Sequence, residues 1–180
     1  YHRLIHTNNQ DGDLTRLRAF ETMVERHYAD CCLLNAFVDN WPDRMIDIGT
    51  GAGFPGIPLK IVNPNIDFTL CEPRNVRVDF LNMAIQKLEL KNINVFGHKI
   101  TSASLNFPVQ GVITRAFEDI DKTLVRIQNS LEIGGRAFFM KGPALKEELK
   151  TQKLVGYEIE KLSWYNIPNS KQERAFIELR

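Results

Sequence analysis

Apolar residues along this chain follow two rhythms, and the switch between them sets the expected elements. From about residue 14 to residue 38, Phe20, Met23, Val24, His27, Cys31, Leu34 and Phe37 or Val38 recur at three- and four-residue steps. That spacing gathers them on one face of a helix, which Trp41-Pro42-Asp43 ends. Residues 1–13 are polar and carry the turn-forming cluster Asn8-Asn9-Gln10-Asp11-Gly12, so a loop is expected there. Beyond Pro42, short apolar runs predict strands at Arg44–Ile48, Ile66–Cys71, Ile93–Phe96, Gly111–Thr114 and Gly135–Met140. Helical patterns fall between or after them at Ile57–Val62, Asn75–Leu90, Ile120–Leu131 and Pro143–Lys153. In Asn75–Leu90 the apolar stripe is Val78, Leu81, Ile85 and Leu88. Two further β-like runs, Tyr157–Ile167 and Arg174–Leu179, flank Pro168-Asn169-Ser170 and read as an antiparallel hairpin.

Alternating strands and helices imply a mostly parallel sheet covered on both faces. In such a sheet the ligand lies beyond the carboxyl ends of the strands, where strand order reverses. The length of 180 residues suits one compact domain. Composition narrows the class: 43% apolar and 25% charged residues describe a soluble globular protein. There is no apolar run of about 18 residues to span a membrane and no signal-peptide pattern. Three cysteines, two of them adjacent, make neither a disulfide framework nor a metal-ligand spacing, so no metal is expected and the thiols read as reduced, in a cytoplasmic protein. A net charge of +1 means that contact with a nucleic acid needs a local basic patch, or a substrate presented in a larger assembly.

The segment richest in chemistry runs from Met45 to Gly56. Gly51, Gly53 and Gly56 spell GxGxxG, a dinucleotide-binding pattern. Asp47, Gly49, Gly51 and Gly53 spell DxGxGxG, the pattern of S-adenosylmethionine enzymes. Asp47 decides between them. A dinucleotide sets its pyrophosphate on the following helix N-terminus, where a neighbouring carboxylate repels it. S-adenosylmethionine carries a positive amino group and a positive sulfonium, which an acid attracts. Glu72 ends the second strand 19 residues past Gly53, near the spacing of a carboxylate that binds ribose hydroxyls.

The longer run Asp47-Ile48-Gly49-Thr50-Gly51-Ala52-Gly53-Phe54-Pro55-Gly56-Ile57-Pro58-Leu59 closely resembles the RsmG (GidB) family of bacterial 16S rRNA guanine-N7 methyltransferases. Val112-Ile113-Thr114-Arg115-Ala116-Phe117 and Met140-Lys141-Gly142 resemble two later motifs of that family. Leu14-Thr15, Arg26-His27-Tyr28-Ala29-Asp30 and Glu173-Arg174 resemble three more, and the likeness covers about residues 9 to 180. The chain departs from the family at Glu72-Pro73, where Asp-Ser is usual, and at Lys99-Ile100-Thr101, where Arg-Ala-Glu is usual. The resemblance implies an α/β fold of the class I SAM-dependent methyltransferase (Rossmann-like) type. That is a seven-stranded, mostly parallel sheet with helices on both faces, preceded by an N-terminal helix. Residues 1–42 would form a helical segment packed on the core, and residues 43–180 the methyltransferase domain. It also implies S-adenosyl-L-methionine as cofactor, bound by Asp47, Gly49, Gly51, Gly53, Phe54, Glu72, Ile100, Thr101 and Arg115. The substrate would be 16S rRNA in a small-subunit ribosomal particle, met by a monomer.

Methyl transfer to guanine N7 is an in-line displacement onto a lone pair that carries no proton. It needs no general base, and orientation is its main source of rate. No residue is therefore assigned as a base or nucleophile. Arg115 and Lys141 are the substrate-side candidates, because both end strands at the ligand edge. The plainer expectation for Arg115 is an ion pair with Asp47 or Glu118, and for Lys141 a solvated strand end. His27 and Asp30, one helical turn apart, are expected to bond to each other and tie the first helix to the sheet. Phe117 and Trp164 are expected in the core, and Arg16, Arg18 and Arg26 are candidates for a basic patch at the mouth. Three other readings fit the same loop: a methyltransferase for protein or small molecules, a nicotinamide oxidoreductase, and a non-catalytic relative.

Overall fold

A computed structural model describes residues 1–180 apart from 102–107, 152–153, 155, 168–169 and 171, and apart from the side chains of 10–12. The expected end of the last helix at Lys153 and most of the Pro168-Asn169-Ser170 turn lie outside the described residues.

Seven strands form one sheet in the order β3-β2-β1-β4-β5-β7-β6. They are β1 (Arg44–Ile48), β2 (Asp67–Cys71), β3 (Ile93–Phe96), β4 (Val109–Arg115), β5 (Leu131–Lys141), β6 (Ile159–Asn166) and β7 (Glu173–Leu179). The first five are parallel. β7 inserts antiparallel between β5 and β6, so the expected hairpin forms with its second strand on the inside. Order reverses between β1 and β4, which puts the ligand edge at the carboxyl ends of those two strands.

Both faces are covered, and the side chains of each strand alternate between them. Ile46, Ile48, Val112, Ala137, Phe139 and Ile177 pack with α6 (Ile120–Ile127) and with Leu145 of α7 (Leu145–Thr151). Met45, Phe68, Ile113, Phe138, Met140 and Phe176 face the opposite way, toward Leu34, Val38 and Leu59. Side chains of this size each contribute roughly 1.5–3 kcal/mol by full burial. That continuous burial explains why the central strands read as mostly apolar runs.

The N-terminal third departs from expectation. Residues 1–13 are not a loop: α1 spans His2–Gly12. Its few apolar side chains suffice, because Ile5 is buried with Leu81 and Ala84 of α5 (Asn75–Lys87), and Leu4 packs beside it. The chain turns after the helix, at Asp13 in the left-handed region (φ 42°). Asn9 holds that turn by accepting from the backbone N–H groups of Leu14 and Thr15 at 3.0 and 2.9 Å. The expected single helix up to Val38 starts only at Phe20 and is broken into four pieces. These are α2 (Phe20–Met23), a π-helical turn (Val24–Ala29), α3 (Asp30–Cys32) and a 3₁₀ turn (Leu33–Ala36). Met23, Cys31, Leu34 and Val38 are buried as expected, whereas Phe20 is 55% exposed.

Smaller differences follow from packing. The buried stripe of α5 is Phe80, Leu81 and Ala84, with Val78, Ile85 and Leu88 at its margins. β5 begins at Leu131 rather than Gly135, because Leu131 pairs with Val109 before a register shift. α6 accordingly ends at Ile127.

Candidate functional site

The glycine loop follows β1 directly. Gly49 and Thr50 donate their N–H groups to the carbonyl of Cys71 at the end of β2, at 3.0 and 3.2 Å. The chain then turns through Gly51 and Gly53, at φ values of 60° and 92° that favour glycine. It enters α4 (Gly56–Val62). A Cβ at Gly56 would lie 2.3 Å from Leu70 Cδ2 and 2.9 Å from Asp47 Oδ2, so only glycine fits over the strand.

Asp47 lies beneath this loop and is fully buried. Its Oδ2 accepts from the Thr50 hydroxyl at 2.6 Å and from the Gly56 N–H at 2.8 Å. Its Oδ1 is buried without a hydrogen-bond partner among the described residues. Burial pushes its pKa from 3.8 up to about 6, against the opposing pull of those two hydrogen bonds and Arg115; the nearby Glu72 adds to the rise. Glu72 is also buried, not solvated. It accepts from the Arg74 N–H at 2.9 Å and faces the Arg77 guanidinium at 3.7 Å.

The remaining cofactor candidates ring the same loop. Phe54 is buried in an aromatic cluster with Tyr1, Tyr28 and His27, and the Arg115 guanidinium lies 5.2 Å from its ring centre. Ile100 is buried and its carbonyl accepts from Arg126 at 3.0 Å; Thr101 beside it is exposed. Phe117, expected in the core, is 40% exposed and its ring lies against Gly49, 2.5 Å from where a Cβ would be. Ala116 makes this possible by adopting φ 50° directly after β4, a costly conformation for a residue with a Cβ. Two buried carboxylates at the ends of adjacent strands, one with an unsatisfied oxygen, form a donor set suited to a cationic ligand bearing hydroxyls and unsuited to a diphosphate.

Arg115 pairs with neither Asp47 nor Glu118; Glu118 is held by Arg126 at 2.5 Å. Its guanidinium donates to the Arg26 carbonyl at 3.1 Å and to His27 Nδ1 at 2.8 Å, and faces Asp30 at 3.5 Å. His27 and Asp30 thus meet through Arg115 rather than bonding to each other. Asp30 also accepts from the Tyr165 hydroxyl of β6 at 2.8 Å, which ties the helix to the sheet. Burial and the Arg115 charge lower the His27 pKa to about 4, so the imidazole is neutral and its Nδ1 can accept. The π-helical turn supplies both the Arg26 carbonyl and the His27 ring, a use in keeping with where such turns occur. Lys141 is not a solvated strand end: it donates to the Glu118 carbonyl at 2.8 Å and pairs with Glu148 at 2.9 Å.

A cleft of about 290 Å³ opens beside these groups, at the carboxyl edge of β4 and β5. It is lined by Arg26, His27, Asp30, Arg115, Lys141 and Arg174, among others. Of the basic-patch candidates, Arg26 lines it and Arg16 and Arg18 do not. Sequence reasoning missed Thr15, Tyr165 and Glu148 as partners of this site. Thr15 had a signal in the Leu14-Thr15 motif, but its bond to His27 and those of Tyr165 and Glu148, at separations of 12, 135 and 7 residues, show only in the fold. Among the described residues no three His, Cys, Asp or Glu side chains converge as metal ligands, and no helix is long and apolar enough to cross a membrane.

Comparison with solved structures finds the same fold. A variant of MtNAS in complex with S-adenosylmethionine matches 99% of this chain and 72% of its own, with TM-score 0.67 at 15% identity. A ribosomal protein L11 methylase from Lactobacillus delbrueckii subsp. bulgaricus matches 84% of this chain and 76% of its own, with TM-score 0.65 at 10% identity. These likenesses establish the class I methyltransferase fold. Sequence relatives are closer. The chain is 39% identical, over 98% of its length, to ribosomal RNA small subunit methyltransferase G 2 of Syntrophobacter fumaroxidans. It is 37% identical, also over 98%, to the protein of that name in Bdellovibrio bacteriovorus. It spans 36% of the first relative's length and 70% of the second's. The family model for GidB, rRNA small subunit methyltransferase G, matches residues 1–177, and the chain belongs to that family.

Proposed function

We propose that this chain transfers a methyl group from S-adenosylmethionine to N7 of a guanine in 16S ribosomal RNA, acting in the cytoplasm as a monomer on a small-subunit particle. The observation that carries the reading is the pairing of two features at one sheet edge. Buried Asp47 and Glu72 sit at a glycine loop, and the cationic cleft around Arg115 opens beside it. Family membership and the names of the relatives support the RNA substrate.

Asp47, Gly49, Gly51, Gly53, Phe54, Glu72, Ile100, Thr101 and Arg115 are the residues that would hold the cofactor. When bound, S-adenosylmethionine supplies an electrophilic methyl group on a sulfonium. Glu72 suits ribose hydroxyls, and the unsatisfied oxygen of Asp47 suits positive charge. Arg115, fixed by three partners, is available to meet guanine O6 or a phosphate. His27 takes no proton, because its Nδ1 already accepts from Arg115. Nor does the reaction need one taken, since N7 attacks with a free lone pair. The residues of this site therefore act by orientation, a source of about 7–11 kcal/mol in favourable cases.

Mass spectrometry of 16S rRNA from cells with and without the gene tests the reading. Loss of one 7-methylguanosine is expected, and an unchanged profile overturns it. Calorimetry with S-adenosylmethionine and NADH separates the methyltransferase from the oxidoreductase reading.

A further inference from the structure

The cleft at the carboxyl ends of β4 and β5 and the amino end of β7 is unevenly neutralised. Four cations line it: Arg26, Arg115, Lys141 and Arg174. Two have acids. Arg115 faces Asp30 at 3.5 Å, and Lys141 pairs with Glu148 at 2.9 Å. The side chains of Arg26 and Arg174 form no ion pair among the described residues. Glu173, next to Arg174 in sequence, is engaged with Lys146 at 2.6 Å. Arg174 lies opposite Tyr165 in the sheet, and its Nε is buried with no hydrogen-bond partner among the described residues. Leaving such a donor unpaired is costly, and more so when the group is charged. An arrangement of this kind is favourable when an anion completes it.

We propose that this cleft is a phosphodiester-binding pocket, in which Arg174 and Arg26 grip a backbone phosphate beside the base presented for methylation. The inference rests on the methyl-transfer reading. The guanidinium fork of Arg174 matches two phosphate oxygens. Arg26, exposed at the rim on the π-helical turn, supplies the second charge. Arg115, held by His27 and Asp30, is then the cation left for the base rather than the backbone. The pocket has room for one nucleotide, which suits an unpaired base turned out of its stack. For a chain of net charge +1, two arginines without ion pairs among the described residues at the cleft supply the local patch that RNA contact needs.

The test uses Arg26→Gln, Arg174→Gln and Arg174→Lys in the whole chain. One probe is a mixed-sequence single-stranded oligoribonucleotide, and the other is small ribosomal subunits from cells lacking the gene. Each Gln variant should weaken oligonucleotide binding about 10-fold at low salt and flatten the dependence of log affinity on log salt by about 0.7. For the ribosomal substrate KM should rise, while kcat and S-adenosylmethionine affinity stay within about two-fold. Arg174→Lys should fall between, keeping the charge but losing the fork. Unchanged salt slope and KM in Arg26→Gln and Arg174→Gln overturn the pocket, as does a loss confined to cofactor affinity. Should Arg174→Gln fail to fold, Arg26→Gln carries the same test from an exposed position. Titrating wild-type protein with inorganic phosphate gives an independent readout, a shift of the Arg174 Nε–H resonance; no shift at saturating phosphate counts against the pocket. Wild-type protein that methylates no rRNA overturns the parent reading instead, whatever the variants bind.

Discussion

Asp47→Asn isolates the cost of the charge beneath the glycine loop. In the folded chain the carboxyl group titrates near 6 instead of 3.8, because burial disfavours its ionised form. The sign follows from linkage. A raised folded pKa means stability that is fully present below the unfolded value and is lost as pH rises through the folded value. The full loss is about 3 kcal/mol, and about 2 kcal/mol of it falls between roughly pH 4.5 and 7.5. Asn keeps an acceptor where Oδ2 receives the Thr50 hydroxyl and the Gly56 N–H, but it cannot ionise. The amide NH₂ takes the place of the unpartnered Oδ1, at a cost of about 1–3 kcal/mol that does not vary with pH. Urea denaturation of both proteins across that pH range, without cofactor, reads the difference directly. The stability of wild type relative to Asp47→Asn should fall by about 2 kcal/mol as pH rises. A difference that stays constant within about 0.5 kcal/mol would refute the account, since it would mean that the carboxylate ionises as easily folded as unfolded.

Three further predictions concern neighbouring groups. Arg115→Lys cannot reach His27, the Arg26 carbonyl and Asp30 together, so kcat/KM for rRNA methylation should drop at least about 10-fold; radiolabelled methyl transfer checks it. Tyr165→Phe removes the 2.8 Å hydrogen bond to buried Asp30 and should cost about 1–3 kcal/mol in urea denaturation. Gly53→Ala adds a Cβ 2.6 Å from Ile57 Cδ1 at φ 92°, which should weaken S-adenosylmethionine binding at least about 10-fold by calorimetry.

The parts of the fold legible in the sequence are those whose cause is local. β1 matches its expected bounds because a central strand buried on both faces needs a mostly apolar run, and that run is visible; the edge strand β3 also matches, through its apolar Ile93, Val95 and Phe96. The glycine loop was legible for a similar reason: its turns demand glycine at stated positions. α1 was not, because a mostly polar segment becomes helical here through Ile5 and Leu4 docking on α5, a contact with residues about 75 positions away. The position of Phe117 depends on the left-handed Ala116, which no propensity foretells. Arg115 and Lys141 could be picked out as strand-end cations. Their partners could not, since Asp30 and Glu148 reach them, and Tyr165 reaches Asp30, only after the sheet closes.

The π-helical turn at Val24–Ala29 acts as a phase offset between two stretches of helix. Each residue of an α-helix advances the side-chain direction by about 100°, so one residue too many rotates everything before it relative to everything after it. Asp30 is tied to the sheet through Tyr165, while Phe20 packs on His2 of α1 before the turn, and the wide turn absorbs the mismatch between them. Shortening it by one residue would leave a smoother helix whose His27 no longer points at Arg115.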